Sequence, residues 1–164
     1  MERIRKIKTG DAEELRRLYG SVVNEELPYI LRNSVPSVEE ETRFIQSVLD
    51  NDGTILVYER ENGSLIGMLT INRMPHPQLS HRASFGISVS KSHRSQGIGE
   101  SLIQHAKVWC KDNGISQLSL EVLASNPAIS LYERLGFVVI GENSMGIKLE
   151  KEYHPVLTMA VPIS

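Results

Sequence analysis

The feature that most constrains this chain is a strand, a glycine-opened helix and a second strand in direct succession between Ala83 and Leu123. Over Ala83–Ser90, the side chains of Phe85, Ile87 and Val89 alternate onto one face, the period of a strand. From Gly97 onward, Ile98, Leu102, Ile103, Ala106 and Cys110 recur at helical spacing, and Asn113-Gly114 supplies a stop after roughly four turns. Gln117–Leu123 then alternates again, with Leu118, Leu120 and Val122 on one face. A helix between two strands is the connection that parallel neighbours need, since a tight turn can only join antiparallel ones. The segment therefore predicts parallel pairing around a crossover helix, inside a sheet that carries helices on its surface.

The flanking sequence fills in that sheet. Ile4–Lys8 alternates as a short strand, and Asp11 stands at an N-cap position before the helical Leu15, Leu18, Val22 and Val23. Leu27–Pro36 reads as irregular. Ser37-Val38-Glu39-Glu40 has capping-box spacing and opens a helix carrying Phe44, Ile45, Val48 and Leu49. Thr54–Arg60 and Leu65–Arg73 are β-rich and antiparallel, joined by Glu61-Asn62-Gly63-Ser64, whose Asn-Gly step suits the positive φ angles of a hairpin turn. Met74–His81, with Pro75 and Pro77, is a loop. Pro127–Leu135 is a short helix closed by Gly136, and Phe137–Ile140 starts another strand. Gly141–Tyr153 is ambiguous and reads as a loop with a short extended piece around Ile147–Leu149, and Val156–Val161 supplies a candidate final strand. The fold class is α/β, a mixed central sheet flanked by helices, in a single domain spanning 1–164.

Composition narrows the function classes. The formal net charge of -2, with 40% hydrophobic and 23% charged residues, describes a globular chain without the basic excess that draws nucleic acid or anionic membrane. The charged N-terminus leads into no apolar h-region, and no run long enough to span a bilayer occurs, so a cytoplasmic protein is expected. The single cysteine, Cys110, lies in the apolar pattern of its helix and reads as a buried thiol. His76, His81, His93, His105 and His154 form no pair at metal-ligand spacing, so no metal is expected. Trp109 reads as packing, and Glu39-Glu40-Glu41 as negative charge at a helix N-terminus in preference to a cationic-substrate site.

The chemistry concentrates at Arg94-Ser95-Gln96-Gly97-Ile98-Gly99. Gly97 and Gly99 at the first helical turn leave unpaired N–H groups and the positive dipole end uncovered, which favours a phosphate. Arg94 would add a mobile positive charge, and Ser95 and Gln96 keep the loop polar. A plain glycine turn with a helix cap has the same spacing. A P-loop is excluded by the missing Lys and hydroxyl residue, and a dinucleotide fingerprint by the missing third glycine.

This loop resembles the Arg/Gln-x-x-Gly-x-Gly/Ala motif of the GCN5-related N-acetyltransferases (GNAT). Asn126-Pro127-Ala128-Ile129-Ser130-Leu131-Tyr132-Glu133-Arg134-Leu135-Gly136-Phe137 resembles that family's Asn, Ala-Ile-x-Leu-Tyr and Gly-Phe signature, and the likeness covers Thr54–Ile140. It implies a GNAT-like splayed sheet, with a cleft for acetyl-CoA between Phe85–Ser90 and Gln117–Leu123. Backbone groups of Ile87 and Val89 would pair with pantetheine, and the amides from Gln96 through Gly97, Ile98 and Gly99 to Glu100 would hold the pyrophosphate. Transfer would be direct to a primary amine, with an N–H near Val89 facing the developing oxyanion and Tyr132 protonating the leaving thiolate.

For the general base, Glu121 is the best local candidate. It lies off the Leu118/Leu120/Val122 face and resembles the glutamate of a Leu-Glu-Val segment in ribosomal-protein alanine acetyltransferases. A solvated strand-face charge is the alternative. Pro127 alone separates Asn126 from Ala128, where the family has two residues, so either Asn126 or Ser125 fills the pantetheine-contacting position. The acceptor is a small-molecule amine, a protein N-terminus or a lysine. The tail Met159–Ser164 is similar to the ribosomal-protein enzymes, and the late strands offer a surface for a homodimer. The alternative function is a non-catalytic acyl-CoA-binding regulatory module.

Overall fold

The structure, a computed structural model, describes residues 3–27 and 34–164. Strand β1 (Arg3–Lys6) precedes helix α1 (Ala12–Val23), and helix α2 (Val38–Asp50) is followed by β2 (Thr54–Glu59) and β3 (Leu65–Arg73). Then come β4 (Arg82–Val89), α3 (Ile98–Asp112), β5 (Gln117–Leu123), α4 (Ile129–Arg134), β6 (Val138–Leu149) and β7 (Glu152–Pro162). The strands form one sheet in the order β1-β2-β3-β4-β5-β7-β6, in which β4 and β5 are the parallel pair. The mixed α/β sheet expected from the crossover is therefore present. Of the segment expected to be irregular, residues 28–33 lie outside the described residues.

Local chemistry explains the element starts. Ser37 caps α2: its hydroxyl accepts from the Glu40 N–H at 3.1 Å and the Glu40 carboxylate accepts from the Ser37 N–H at 3.4 Å. Asp11 occupies the N-cap position of α1, but its carboxylate caps nothing there. It accepts from the Lys8 N–H at 2.8 Å and from Arg5 at 2.8 and 2.9 Å, because a partly buried guanidinium offers a stronger, charge-assisted partner. In the β2–β3 hairpin only Gly63, at φ 84, takes a positive angle, while Asn62 Oδ1 accepts from the Ser64 N–H at 3.0 Å.

Strands β2 and β3 are buried on both faces. Ile55, Val57, Leu65 and Met68 face α1 and α2, whose Leu15, Leu18, Ile45 and Val48 meet them. Leu69, Ile71, Phe85, Leu118, Leu120 and Met159 face α3 and α4 through Leu102, Ile103, Ala106, Cys110 and Tyr132. Each Leu or Ile hidden this way contributes about 1.5–3 kcal/mol, so the two helical layers fix the sheet between them. Two-sided burial also explains why β2 and β3 read as nearly continuous apolar runs.

Gly141–Tyr153 is neither loop nor short extended piece, because β6 runs on to Leu149 and returns directly into β7. Glu150 (φ 49) and Lys151 (φ 72) are both left-handed and make a two-residue hairpin turn without the glycine or asparagine that usually announces one. Register shifts between Val139 and Gly141 and between Asn143 and Ile147 break the alternation by which a strand is recognised. Gly146 sits so close to β7 that a Cβ there would lie 2.5 Å from Val156 Cγ2. Among the described residues, no helix is long and apolar enough to cross a membrane.

Candidate active site

The parallel pair β4–β5 is joined only at Arg82↔Gln117, Ala83↔Leu118 and Ser84↔Ser119. Beyond Ser84, β4 stays with β3 as far as Val89↔Gly67, while β5 stays with β7 as far as Leu123↔Val156. The two half-sheets part, and a cleft of about 1050 Å³ opens between them.

Which backbone groups face that cleft follows from strand alternation. The Ser90 N–H donates to Ile66 O and Arg82 O accepts from the Met74 N–H, so even-numbered β4 residues address β3. The N–H and C=O groups of Phe85, Ile87 and Val89 therefore point across the opening, where no strand answers them. On β5 the Ala124 N–H donates to Pro155 O, so Glu121 and Leu123 present their main-chain groups from the opposite side.

At the end of β4 the loop turns into α3 through two left-handed residues, Ser95 (φ 61) and Gly97 (φ 81). The first intrahelical bond runs from the Ser101 N–H to Gly97 O at 3.0 Å. The N–H groups of Ile98, Gly99 and Glu100 thus have no partner within the helix and stand at its positive end. Arg94, Ser95, Gly97, Ile98, Gly99 and Glu100 all line the cleft, whereas Gln96 is exposed and does not. Ile98 sends its side chain into the core at 5% exposure, leaving only its backbone for a ligand.

Arg94 is no mobile charge. Nη1 and Nη2 donate to the two carboxylate oxygens of Glu25 at 2.6 Å each, and Nε donates to Val89 O at 3.1 Å. Nothing in the spacing of the motif pointed to Glu25, which lies 69 residues away. Farther along, Arg134 approaches Glu100 at 3.4 Å and both remain largely exposed.

Tyr132 forms part of the cleft wall on α4, yet is only 5% exposed overall. Its ring meets Phe85 edge-on at 6.0 Å and Phe137 at 6.2 Å. No hydrogen bond among the described residues engages its hydroxyl, and burial pushes its pKa up to about 12. The end of α4 is held by Lys107, whose Nζ donates to Leu135 O at 2.6 Å and stands 5.5 Å from the Phe137 ring centre. Asn126 lines the cleft, which Ser125 does not; its Oδ1 accepts from the Ala128 N–H at 2.8 Å, so its side-chain N–H₂ is the part left for a ligand.

Glu121 is exposed at the cleft on the sheet face opposite Leu118, Leu120 and Val122. The acidic run at the start of α2 divides: Glu39 and Glu40 are exposed at the helix end, while Glu41 is 1% exposed and lines the cleft. All three stand in the first turn of α2, where negative charge meets the positive end of the helix dipole. Among the described residues, no three His, Cys, Asp or Glu side chains are grouped to hold a metal.

A split sheet that opens beside a glycine-started helix points to the acetyltransferase class, and comparison with known proteins agrees. The model of the Acetyltransferase (GNAT) family matches residues 18–137. The L-amino acid N-acetyltransferase AaaT of Escherichia coli (strain K12) is 27% identical over 161 residues, covering 96% of this chain and 95% of that protein. The ribosomal protein bS18 alanine N-acetyltransferase of the same organism is 36% identical over 94 residues, 52% of this chain and 59% of that protein. The phosphinothricin acetyltransferase of Sinorhizobium meliloti, solved in complex with AcCoA, superposes with a TM-score of 0.88 at 19% identity, covering 99% of this chain and 89% of that one. The chain belongs to the GNAT acetyltransferase family and is an N-acetyltransferase.

Proposed function

We propose that the chain, as one domain over 1–164, transfers the acetyl group of acetyl-CoA directly to a primary amine in a ternary complex. The observation that carries this reading is the parting of β4 and β5 after Ser84 and Ser119, with Tyr132 on one wall and the start of α3 at its end. The donor groups fit the cofactor: Ile87 and Val89 offer an unpaired strand edge to the pantetheine amides, with the Asn126 side-chain amide across from them. The N–H groups of Ile98, Gly99 and Glu100 take the diphosphate, in the loop built by Arg94, Ser95, Gln96 and Gly97. Val89 O is held by Arg94, so pantetheine pairing there falls to the Val89 N–H.

Acetyl-CoA supplies an activated thioester. Glu121 removes the proton of the incoming ammonium from the face that carries α1 and α2. Another N–H of the open β4 edge, near Val89, faces the charge developing on the carbonyl oxygen, and Tyr132, neutral over the working range, donates its proton to the departing sulfur. The acceptor enters beside Tyr19, Thr70, Asn72 and Ser88, a polar wall suited to a small-molecule amine or to the end of a peptide. The L-amino acid and ribosomal-protein relatives illustrate those two kinds of acceptor. A cytoplasmic setting and a homodimer belong to the same proposal. The dimer is supported by the edge strand β6, where Val138 (60%), Val139 (51%), Ile140 (55%) and Met145 (59%) lie exposed.

The test is release of free thiol from acetyl-CoA in the presence of a panel of amines: amino acids, polyamines, and peptides with a free N-terminus. Amine-dependent thiol release supports transfer. Acetyl-CoA binding without release for any amine favours a non-catalytic acyl-CoA-binding module.

A further inference from the structure

The loop that leads into α3 is held from outside itself. Ser95 (φ 61) and Gly97 (φ 81) place two left-handed residues within three positions, and for Ser95 that conformation is costly. What ties the loop down is Arg94, each of whose three guanidinium nitrogens already donates: Nε to Val89 O, Nη1 and Nη2 to Glu25. A two-pronged carboxylate contact at 2.6 Å is the strong form of such a bond, and here it is partly shielded, with 10% exposure for the Glu25 side chain and 34% for Arg94. Glu25 belongs to the turn that ends α1, where its N–H donates to Val22 O and Glu26 takes φ 53. Tyr19, Val22 and Leu27 of the same stretch line the cleft with Ser95, Gly97 and Gly99.

We propose that Glu25 is a positioning residue for the donor loop: it fixes Arg94, and through Arg94 presets the N–H groups at the start of α3 for the diphosphate of acetyl-CoA. The proposal rests on the reading of the cleft as the acetyl-CoA site. It has an opposite that the same contact would allow, in which Glu25 competes with the diphosphate for Arg94. The two differ in sign. Removing the carboxylate loosens the loop and weakens the donor in the first, and frees a cation and tightens the donor in the second.

The experiment compares wild type, Glu25→Gln and Arg94→Lys with acetyl-CoA and with S-acetyl-pantetheine, a donor that lacks the diphosphate. The expected result for Glu25→Gln is a rise of about ten-fold in KM for acetyl-CoA, with kcat and the amine KM within two-fold of wild type. KM for S-acetyl-pantetheine stays unchanged, which a general loss of structure would not allow. Arg94→Lys keeps the charge but loses the fork and the contact to Val89 O, and should raise KM for acetyl-CoA by more than KM for S-acetyl-pantetheine; it carries the test if Glu25→Gln does not fold. The double variant Glu25→Gln/Arg94→Lys should be no worse than either single one. An unchanged or lowered KM for acetyl-CoA in Glu25→Gln, or equal losses with both donors, overturns the role of Glu25. A wild-type protein that fails to bind acetyl-CoA overturns the donor-site reading instead.

Discussion

Replacing Tyr132 by phenylalanine removes one hydroxyl from a packed aromatic cluster and leaves the rings of Phe85 and Phe137 in contact with it. Burial lifts the phenol from 10.0 to about 12, and two units correspond to about 2.7 kcal/mol against the ionised form. At pH 8 only about one molecule in ten thousand would carry a tyrosinate there, so the side chain is an acid ready to give its proton throughout the working range. A phenol at that value looks too weak to protonate a thiolate, since a free thiol titrates at about 8.5. Burial acts on a thiol in the direction that narrows the mismatch: Cys110, 0% exposed, is pushed from 9.0 to about 11. A leaving sulfur desolvated beside Tyr132 would be shifted in the same direction. We therefore expect Tyr132→Phe to lower kcat by about 10²–10⁴-fold while acetyl-CoA affinity changes by less than two-fold.

The linked stability effect has a definite sign. The folded-state pKa is raised, so the contribution is complete below pH 10 and is lost as pH climbs through about 12. Ultraviolet titration of tyrosinate immediately after a pH jump should show a late-ionising tyrosine that is missing in the variant. Retention of wild-type kcat by Tyr132→Phe would refute the acid assignment. Loss of no late-titrating tyrosine would refute the burial argument beneath it.

Other perturbations separate backbone from side-chain roles. Glu121→Gln should depress the rate most near neutral pH, and a pH–rate profile of unchanged shape removes it as the base. Gly97→Ala forces a Cβ onto a residue at φ 81 and should cost about 1–2 kcal/mol of stability, read by thermal melting without ligand. At Gly99 a Cβ would meet Leu131 Cδ2 at 3.6 Å and Ile87 Cδ1 at 3.8 Å, ordinary contacts inside a helix. Gly99→Ala should therefore keep or raise stability and weaken acetyl-CoA alone; greater destabilisation than Gly97→Ala contradicts this. Cys110 should resist thiol reagents at pH 8 and react only at the rate of unfolding, so rapid labelling of the native protein would show that it is not shielded as described.

The features legible in the sequence were those in which one residue type answers one physical demand. Gly97 was readable because its left-handed angle needs glycine, and the capping box at Ser37 because a hydroxyl and a carboxylate must stand three residues apart. The alternation in β4 and β5 was visible because each strand hides one side chain in two under α3 or α4. The β6–β7 ribbon was not. Its turn uses Glu150 and Lys151, which carry no turn signature, and its bulges displace the period from which a strand is inferred. Glu25 and Lys107 were hidden for a different reason: each reaches a target far along the chain, Arg94 or Leu135, and local spacing holds no record of such a contact. The motif locates Arg94 in the loop but holds no sign of its fixed position, since its partner lies at the end of α1.

This contrast has a consequence for how specificity is built. The proposed donor half of the cleft is made largely of main chain: a strand edge left open at Ile87 and Val89, and a helix start bared at Ile98, Gly99 and Glu100. Main-chain recognition needs little from side chains beyond small size and the right φ, and for that reason it leaves a compact motif in the sequence. The proposed acceptor half would draw its walls from Tyr19 on α1, Glu41 on α2, Thr70 on β3, Glu121 on β5 and Asn143 on β6, all of which line the cleft. Those elements are set by two separate cores and a bulged hairpin, so a change at any of them can reshape the acceptor wall without touching the open edge of β4. Substitutions on α2 and β6 should accordingly alter which amine is accepted while KM for acetyl-CoA holds, whereas a change at Gly97 should affect transfer to every amine alike. A Gly97 variant that lost one amine and kept another would break this division between a backbone-built donor site and a side-chain-built acceptor site.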